Sequence, residues 1–151
     1  MRRALFITGA LVLVLLGVRY VLLARAPDLT PPDAMASALP DNPLPPCPGT
    51  PNCVRTSRLY EVEADALFEL AEAALQDIGA ATVEQEAEAG DRRLHAVFRV
   101  VIFKDDVHLA VAPHDGDSAL HIRSASRVGH SDLGVNARRV DRLLRAVDER
   151  L

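Results

Sequence analysis

The chain has 151 residues, its formal net charge at pH 7 is −4, and 4% of its residues are aromatic, with no Trp. This length suffices for a single domain with its own apolar core behind an N-terminal segment. The acidic balance and the few aromatic side chains argue against nucleic-acid binding, which depends on basic surfaces and stacking platforms.

The N-terminal segment has the composition of a membrane anchor. Residues 4–24 are predominantly apolar, Arg19 is the single charged residue among them, and Arg2 and Arg3 precede the run. As a helix, the run is long enough to cross the hydrocarbon core of a bilayer. We predict an anchor over residues 1–26. Because basic residues favour the cytoplasmic side, the domain would lie in the periplasm or another extracytoplasmic compartment.

A cleaved signal peptide is the alternative for the same segment. Ala24 and Ala26 have the small-x-small spacing of a signal-peptidase site. However, Pro27 would follow the cut directly, and proline at that place disfavours cleavage. The sequence therefore favours a retained anchor.

A proline-rich segment follows. Nine of the ten prolines of the chain lie between residues 27 and 51. Because proline fixes φ and removes a hydrogen-bond donor, this stretch is expected to be extended. Residues 27–46 are predicted to be a linker that holds the domain away from the bilayer.

Cys47 and Cys53 are the two cysteines of the chain, with prolines between them. In an oxidising compartment their spacing favours a structural disulfide. Free thiols stay open, as does a redox pair, although the spacing differs from that of the thioredoxin motif. A zinc site would need two further ligands, and the neighbouring sequence has none.

The rest of the sequence predicts an α+β domain. Residues 63–78 have the apolar spacing of a helix that Gly79 ends, and a second helix with Val140, Leu143 and Leu151 on its apolar face closes the chain. Between them we predict four strands, over approximately residues 81–88, 92–103, 106–114 and 118–128, with turns at 90–91, 104–105 and 115–116. The predicted fold is a four-stranded antiparallel meander with both helices packed on one face, preceded by one transmembrane helix.

The three turns set a register for this meander. Phe98 would stand opposite Val83 and Val111, and Leu109 opposite Ile122. Each pair places apolar residues together on one face of the sheet, as the alternation of side chains along a strand requires. The opposite face would then carry the polar residues of the strands.

Three of those polar residues raise a metal hypothesis. Glu86, His95 and His114 would share one cross-strand row, and a carboxylate with two imidazoles suits zinc. The simpler interpretation is a solvated sheet face, where polar residues belong, and we favour it. We assign no metal ligands.

The segment from Arg123 to Asn136, the polar corner, joins the last strand to the last helix. Its candidate residues, with one from the helix, are Arg123, Ser124, Ser126, Arg127, Asp132, Asn136 and Arg139. In a structural interpretation, Ser131, Asp132 or Asn136 caps the helix, and Arg127 pairs with Asp132. In a binding interpretation, arginines in the first turn of the helix oppose its macrodipole, a conflict that a phosphate, lipid headgroup or carboxylate would relieve. Both interpretations stay open.

Catalytic motifs are weak. No Walker loop, dinucleotide-binding fingerprint or His-Glu-x-x-His sequence occurs. The consecutive residues His130, Ser131 and Asp132 cannot converge as a triad by themselves. We assign no catalytic residue and no cofactor, and the sequence favours a protein that is not an enzyme.

Two segments carry a resemblance to a family. Cys47-Pro-Gly-Thr-Pro-Asn-Cys53-Val resembles the C-P-x-x-P-N-C-V signature that opens the domain-of-unknown-function 1499 family, and the polar corner resembles its closing R-S-x-S-R-x-G-x-x-D-x-G-x-N signature. The resemblance covers approximately residues 44–151, and we place the family domain at 47–151. Such domains occur in bacteria and plant plastids, often behind N-terminal membrane segments. The family implies no activity, ligand or catalytic residue.

Together these features predict a membrane-anchored, extracytoplasmic binding or interaction module that presents its polar corner to an anionic ligand or to a protein partner in the envelope. A structural envelope protein without a ligand is the first alternative. A metal-dependent enzyme that uses Glu86, His95 and His114 is the second.

Overall fold

The structure is a computed structural model that describes Leu29, residues 39–88 and residues 91–151. The predicted membrane segment, residues 4–24, lies outside the described residues, as does most of the predicted linker. Within the described part of the chain, no helix is long and apolar enough to span a membrane.

The described residues form one antiparallel sheet with two helices on one face. In chain order the elements are β1 (Cys53–Tyr60), α1 (Ala64–Asp77), β2 (Thr82–Glu88), β3 (Asp91–Val100), β4 (Phe103–His114), β5 (Asp117–Ser126) and α2 (Val135–Asp148). The strands lie in the order β1-β5-β4-β3-β2, and every neighbouring pair is antiparallel. The predicted α+β class and its two helices are confirmed. The sheet has five strands and not four, because an additional strand precedes the first helix.

That additional strand, β1, alternates in sequence as a strand does. Val54, Thr56 and Tyr60 lie on the side of the helices, whereas Arg55 and Ser57 point the other way. β1 pairs along its whole length with β5, which lies far away in the sequence, so no neighbouring hairpin signal marks it. α1 then crosses the sheet from β1 at one edge to β2 at the other.

Both helices bury the apolar face that their spacing predicts. In α1, Leu67 and Ala71 are one turn apart and fully buried. Gly79, at φ 90°, follows the end of α1 as predicted. In α2, Leu143 is buried in the same way, but Leu151 lies beyond the helix and is 60% exposed, so it is not a core residue.

The core lies between the helices and the sheet. Its largest fully buried side chains from the strands include Leu94, Leu109, Leu120 and Ile122. Burying each such side chain contributes about 1.5–3 kcal/mol relative to leaving it in water. This face of the sheet therefore forms the hydrophobic core and stabilises the fold. We call the opposite face, on which no described helix packs, the outer face.

One predicted register is confirmed and two are wrong. Leu109 stands opposite Ile122, as the β4–β5 turn predicts. Phe98 stands opposite Asp105 and not Val111. On its other side β3 is also shifted, so that Val83 of β2 stands opposite Ala96 and not Phe98. Both displacements are by an even number of residues, so each side chain keeps the face predicted for it.

The β3–β4 turn lies at Val101 and Ile102 and not at the predicted residues 104–105. Asp105 has the character of a turn residue, but it is buried and paired with an arginine of α2, and this long-range contact holds it inside β4. The two turn residues are apolar and 95% and 83% exposed. We call residues 100–103 the apolar tip.

Candidate functional site

Most of the polar corner is a buried network centred on Asn136. The Nδ2 atom of Asn136 lies 3.0 Å from the backbone oxygen of Asn52, 3.0 Å from the Oγ of Ser126 and 2.7 Å from the carboxylate of Asp132. Its Oδ1 accepts from the Oγ of Ser124 at 2.6 Å. Asn136 is fully buried, so these bonds replace the water that its amide would otherwise bind.

Arg139 joins this network from α2. Its guanidinium donates to Asp105 and to the Oδ1 of Asn136, both at 2.6 Å, and to the Oγ of Ser124 at 3.1 Å. Its Cζ lies 4.6 Å from the centre of the Phe98 ring. The Arg139 and Asp105 side chains are both 3% exposed, so each charge compensates the other inside the domain.

Asp132 supplies the negative charge that the N-terminus of α2 favours. Its carboxylate accepts from the backbone N–H groups of Gly134 at 2.9 Å and of Asn136 at 2.6 Å. The guanidinium of Arg138 turns back to the backbone oxygen of Leu133 at 3.0 Å. A side chain of the protein itself therefore stands where the binding interpretation places an external anion.

The two segments that carry the family resemblance meet at this corner. The Asn52 side chain donates to the backbone oxygen of Gly129 at 2.6 Å, and its backbone oxygen accepts from the N–H of Ser126 at 3.0 Å. A disulfide joins Cys47 and Cys53 on either side of Asn52, as predicted. The polar residues of both segments thus build a single junction that ties β1 to β5 and α2.

Arg123 and Arg127 leave the corner, because alternate residues along this strand point to opposite faces. Arg127 donates twice to Asp106, at 2.8 and 2.7 Å, and does not pair with Asp132 as the structural interpretation predicts. His95 also lies 2.9 Å from Asp106. The hydrogen bond from Arg127, supported by that with His95, outweighs burial and lowers the pKa of Asp106 to about 2.

Arg123 belongs to a polar row on the outer face. Across the sheet this row contains Glu84, His95, His108, Arg123 and Arg55. The rings of His95 and His108 are stacked, with their centroids 4.5 Å apart. The predicted row of Glu86, His95 and His114 is wrong, because β3 is displaced against both of its neighbours. Among residues that the structure describes, no group of three or more His, Cys, Asp or Glu could hold a metal ion.

Residues 42–45, which we call the arm, lie on the outer face beside β1. Asn42 donates to the Oγ of Ser57 at 3.0 Å. The guanidinium of Arg55 donates to the backbone oxygens of Leu44 at 3.0 Å and of Asn42 at 2.5 Å. Leu44 is 4% exposed, so the arm packs against the sheet and covers part of its outer face.

A cavity of about 300 Å³, the arm cavity, lies beside the arm. Its lining residues are Leu44, Pro45, Glu86, Arg93, His108 and Arg123. Two guanidinium groups and one carboxylate give it an excess of positive charge. The Nε atom of Arg123 is buried and has no hydrogen-bond partner within the described ranges.

His108 adds a titratable group to this cavity. Burial first, and the neighbouring His95 second, lower the pKa of His108 below its ordinary 6.5, against the opposing effect of Glu86. At neutral pH its imidazole is therefore uncharged and offers one hydrogen-bond donor and one acceptor. The cavity can accordingly bind an oxygen-rich anion through guanidinium and imidazole N–H groups.

The structure brings five predicted site residues together and separates two. The buried network contains Ser124, Ser126, Asp132, Asn136 and Arg139, whereas Arg123 and Arg127 lie on the outer face. The predicted β4–β5 register places His108 opposite Arg123, as in the structure. Arg93 was not predicted as their neighbour. Alternation along β3 identifies the face of Arg93, but its position along that face depends on the β3–β4 register, which a long-range ion pair sets.

Residues 43–147 match the family described as "Protein of unknown function (DUF1499)". No curated protein matches the chain. Among solved structures, TTHA0849 from Thermus thermophilus is 13% identical with a TM-score of 0.38, over 65% of this chain and 95% of that one. CalU16 from Micromonospora echinospora is 14% identical with a TM-score of 0.35, over 65% of this chain and 82% of that one.

Proposed function

Since the chain belongs to the DUF1499 family of proteins of unknown function, we propose from its own geometry that it is a membrane-anchored, extracytoplasmic binding module for a small oxyanion. The ligand would carry a phosphate or carboxylate group, and the arm cavity would be its site. The anion site would thus lie on the outer face and not at the polar corner, with Arg123 as its central residue.

One observation carries the proposal. The Nε of Arg123 is buried, and no described residue accepts a hydrogen bond from it. A buried donor without an acceptor costs about 1–3 kcal/mol. An oxyanion would accept this bond, because the guanidinium fork matches the spacing of phosphate and carboxylate oxygens. Arg93 lines the same cavity and adds a second positive charge.

The dimensions of the cavity favour a small ligand. Its volume of about 300 Å³ is at the lower end of the range for ligand sites. Leu44 and Pro45 line it with apolar surface, which lowers the local dielectric constant and so strengthens charge interactions nearby. Glu86 disfavours a highly charged anion, so a ligand that has a hydroxyl or ammonium donor beside its anionic group would fit best.

The proposed location depends on the sequence and on the disulfide. Residues 4–24 have the length and composition of a membrane-spanning helix. The Cys47–Cys53 disulfide agrees with an oxidising compartment outside the cytoplasm. The proline-rich stretch would then have two roles, as the linker to the anchor and as the arm beside the cavity.

Isothermal titration calorimetry of the full chain in detergent micelles, with inorganic phosphate and with lactate, tests this proposal. The wild type should bind at least one of the two saturably. Arg123→Gln should weaken that binding about tenfold or more, because a hydrogen bond to a charged group contributes about 1.5–3 kcal/mol. Arg145→Gln is the matched control, since Arg145 is exposed and pairs with Asp141 on the same helix; its affinity should equal that of the wild type.

Circular dichroism establishes that each variant is folded before its affinity is compared. Folded wild type that binds neither anion contradicts the proposal and favours the structural envelope protein. Binding that survives Arg123→Gln unchanged places the anion elsewhere and contradicts the assignment of the arm cavity.

A further inference from the structure

The apolar tip exposes side chains that packing within the domain does not use. Val101 is 95% exposed, Ile102 83% and Phe103 51%. Val128 in the neighbouring loop is 57% exposed, and residues of both segments line a groove of about 630 Å³. Contiguous exposed apolar surface of this kind marks a site of interaction.

The backbone of the tip is strained at Val101, although the side chain of this residue is not buried. Val101 has φ 57°, in the left-handed region that β-branched residues rarely adopt. Two-residue hairpin turns ordinarily place glycine, asparagine or aspartate at such a position. A strained and almost fully exposed valine therefore points to a contact outside the domain.

Two cations stand directly behind the tip. Arg99 and Lys104 are cross-strand partners, and both are exposed. No ion pair joins either of them to another residue in the described part of the chain. The acidic residues that follow in β4, Asp105 and Asp106, are already paired with arginines. The base of the tip therefore has uncompensated positive charge.

We propose that the apolar tip inserts into the surface of a bilayer that contains acidic lipids, with Arg99 and Lys104 at the level of the headgroups. At ~3.3 Å per residue, the turn extends about 7 Å beyond this pair, within the depth of about 5–10 Å at which interfacial elements bury their apolar faces. The hairpin has apolar side chains at its end and basic side chains just behind them. A bilayer with acidic lipids has the matching layers, because its hydrocarbon core lies directly beneath its anionic headgroups.

A bilayer is also the surface that the predicted anchor would bring within reach. An anchor over residues 4–24 would keep the tip at a high local concentration beside one leaflet, so weak insertion would suffice to orient the domain. β3 and β4 would then stand upright on the bilayer. The arm cavity, which lies further along these strands, would face the space just above the headgroups.

A single introduced tryptophan tests the inference, because the chain has none. Ile102→Trp is made in the full chain, which is reconstituted into vesicles of phosphatidylcholine with phosphatidylglycerol. Its emission should shift to shorter wavelength and lose intensity when brominated lipids are included. Leu151→Trp is the matched control. Leu151 is 60% exposed and follows the C-terminal end of α2, whereas the N-terminal end of α2 lies beside the tip. Its replacement should give unshifted, unquenched emission.

A second variant tests whether the basic pair contributes to the insertion, or whether the apolar side chains alone drive it. Adding Arg99→Gln and Lys104→Gln to Ile102→Trp should reduce quenching in acidic vesicles to the level found in pure phosphatidylcholine, because two basic residues near an acidic surface together contribute roughly tenfold or more in partitioning. If Ile102→Trp without the two glutamine substitutions were quenched equally in acidic vesicles and in pure phosphatidylcholine, the role of the basic pair would be overturned.

Emission that shifts to shorter wavelength without quenching by brominated lipids would also overturn the proposal, since it would mean that the tip contacts protein, such as a second copy of the chain. Unshifted emission in acidic vesicles would overturn it directly. Circular dichroism shows whether each reconstituted variant has kept its fold.

Discussion

Arg139 is the residue on which the polar corner depends most, because it neutralises the buried Asp105 and bonds to Asn136 and Ser124 at once. Arg139→Gln leaves the Asp105 carboxylate buried without its partner. We expect the free energy of unfolding to fall by about 3–5 kcal/mol, as it does when one member of a buried ion pair is removed. Urea denaturation at pH 7 measures this loss.

Arg127→Gln is the control, because Arg127 is 43% exposed and its pair with Asp106 is reached by water. It should lower the free energy of unfolding at pH 7 far less than Arg139→Gln does, because water screens an exposed ion pair. If Arg139→Gln cost as little, the polar corner would not be a structural junction, and a ligand role for it would regain support.

The pair of Arg127 and Asp106 should also affect the pH at which acid unfolds the protein. Asp106 has a pKa of about 2 in the folded protein, below its ordinary 3.8. A carboxylate with a lowered pKa contributes stability that is complete above the unfolded value and is lost as the pH falls from 3.8 towards 2. Arg127→Gln should therefore raise the pKa of Asp106 and move acid unfolding to higher pH. A carboxyl NMR titration that finds the pKa of Asp106 unchanged in Arg127→Gln contradicts this.

The polar residues of the corner could be selected from the sequence, but their partners could not. The predicted pair of Arg127 and Asp132 is local, and it loses to Asp106 because the β4–β5 register brings that carboxylate next to the end of β5. Similarly, Asp105 has the local character of a turn residue, yet Arg139 of α2 holds it inside a strand. Long-range ion pairs decide both positions.

At the scale of elements, the β3–β4 hairpin should be easy to stabilise. Val101→Gly removes a side chain that is 95% exposed, and glycine adopts the φ of 57° at this position without strain. The relief of about 1–2 kcal/mol is partly offset by the greater freedom of glycine in the unfolded chain, so we expect a net gain of roughly 0.5–1 kcal/mol. Thermal unfolding measures it.

Val100→Gly is the matched control, because Val100 lies in β3 and is not among the described residues with positive φ. It should lower the stability by roughly 0.5–1 kcal/mol. A loss of stability from Val101→Gly would show that the valine at the turn makes contacts within the domain, and the argument for an external contact would fail with it.

Elements defined by local signals could be predicted, and those defined by distant partners could not. The two helices and the β4–β5 hairpin have periodicity or a two-residue turn of their own, and they lie where the sequence places them. β1 has a visible alternation but no neighbouring strand, and only β5 at the other end of the domain completes it.

At the scale of the molecule, the two faces of the sheet differ in what they contain, and on the proposed function they have separate roles. The face under the helices holds the core and the buried network, so substitutions there act on stability. The outer face has the arm, the stacked histidines and the cavity beside Arg123, so substitutions there should act on binding. The sequence could predict this division, because errors of register by even numbers leave the faces unchanged.

The order of the strands also governs how the domain is made. Among the strands that the structure describes, β1 is synthesised first, and β5, the strand beside it in the sheet, is synthesised last. A growing chain that has not passed residue 117 therefore has an edge strand with nothing to pair with, while α1 and the strands from β2 to β4 already have their local partners. Closure of the sheet therefore waits for the synthesis of β5, and until then β1 is an unpaired strand of the kind that promotes aggregation.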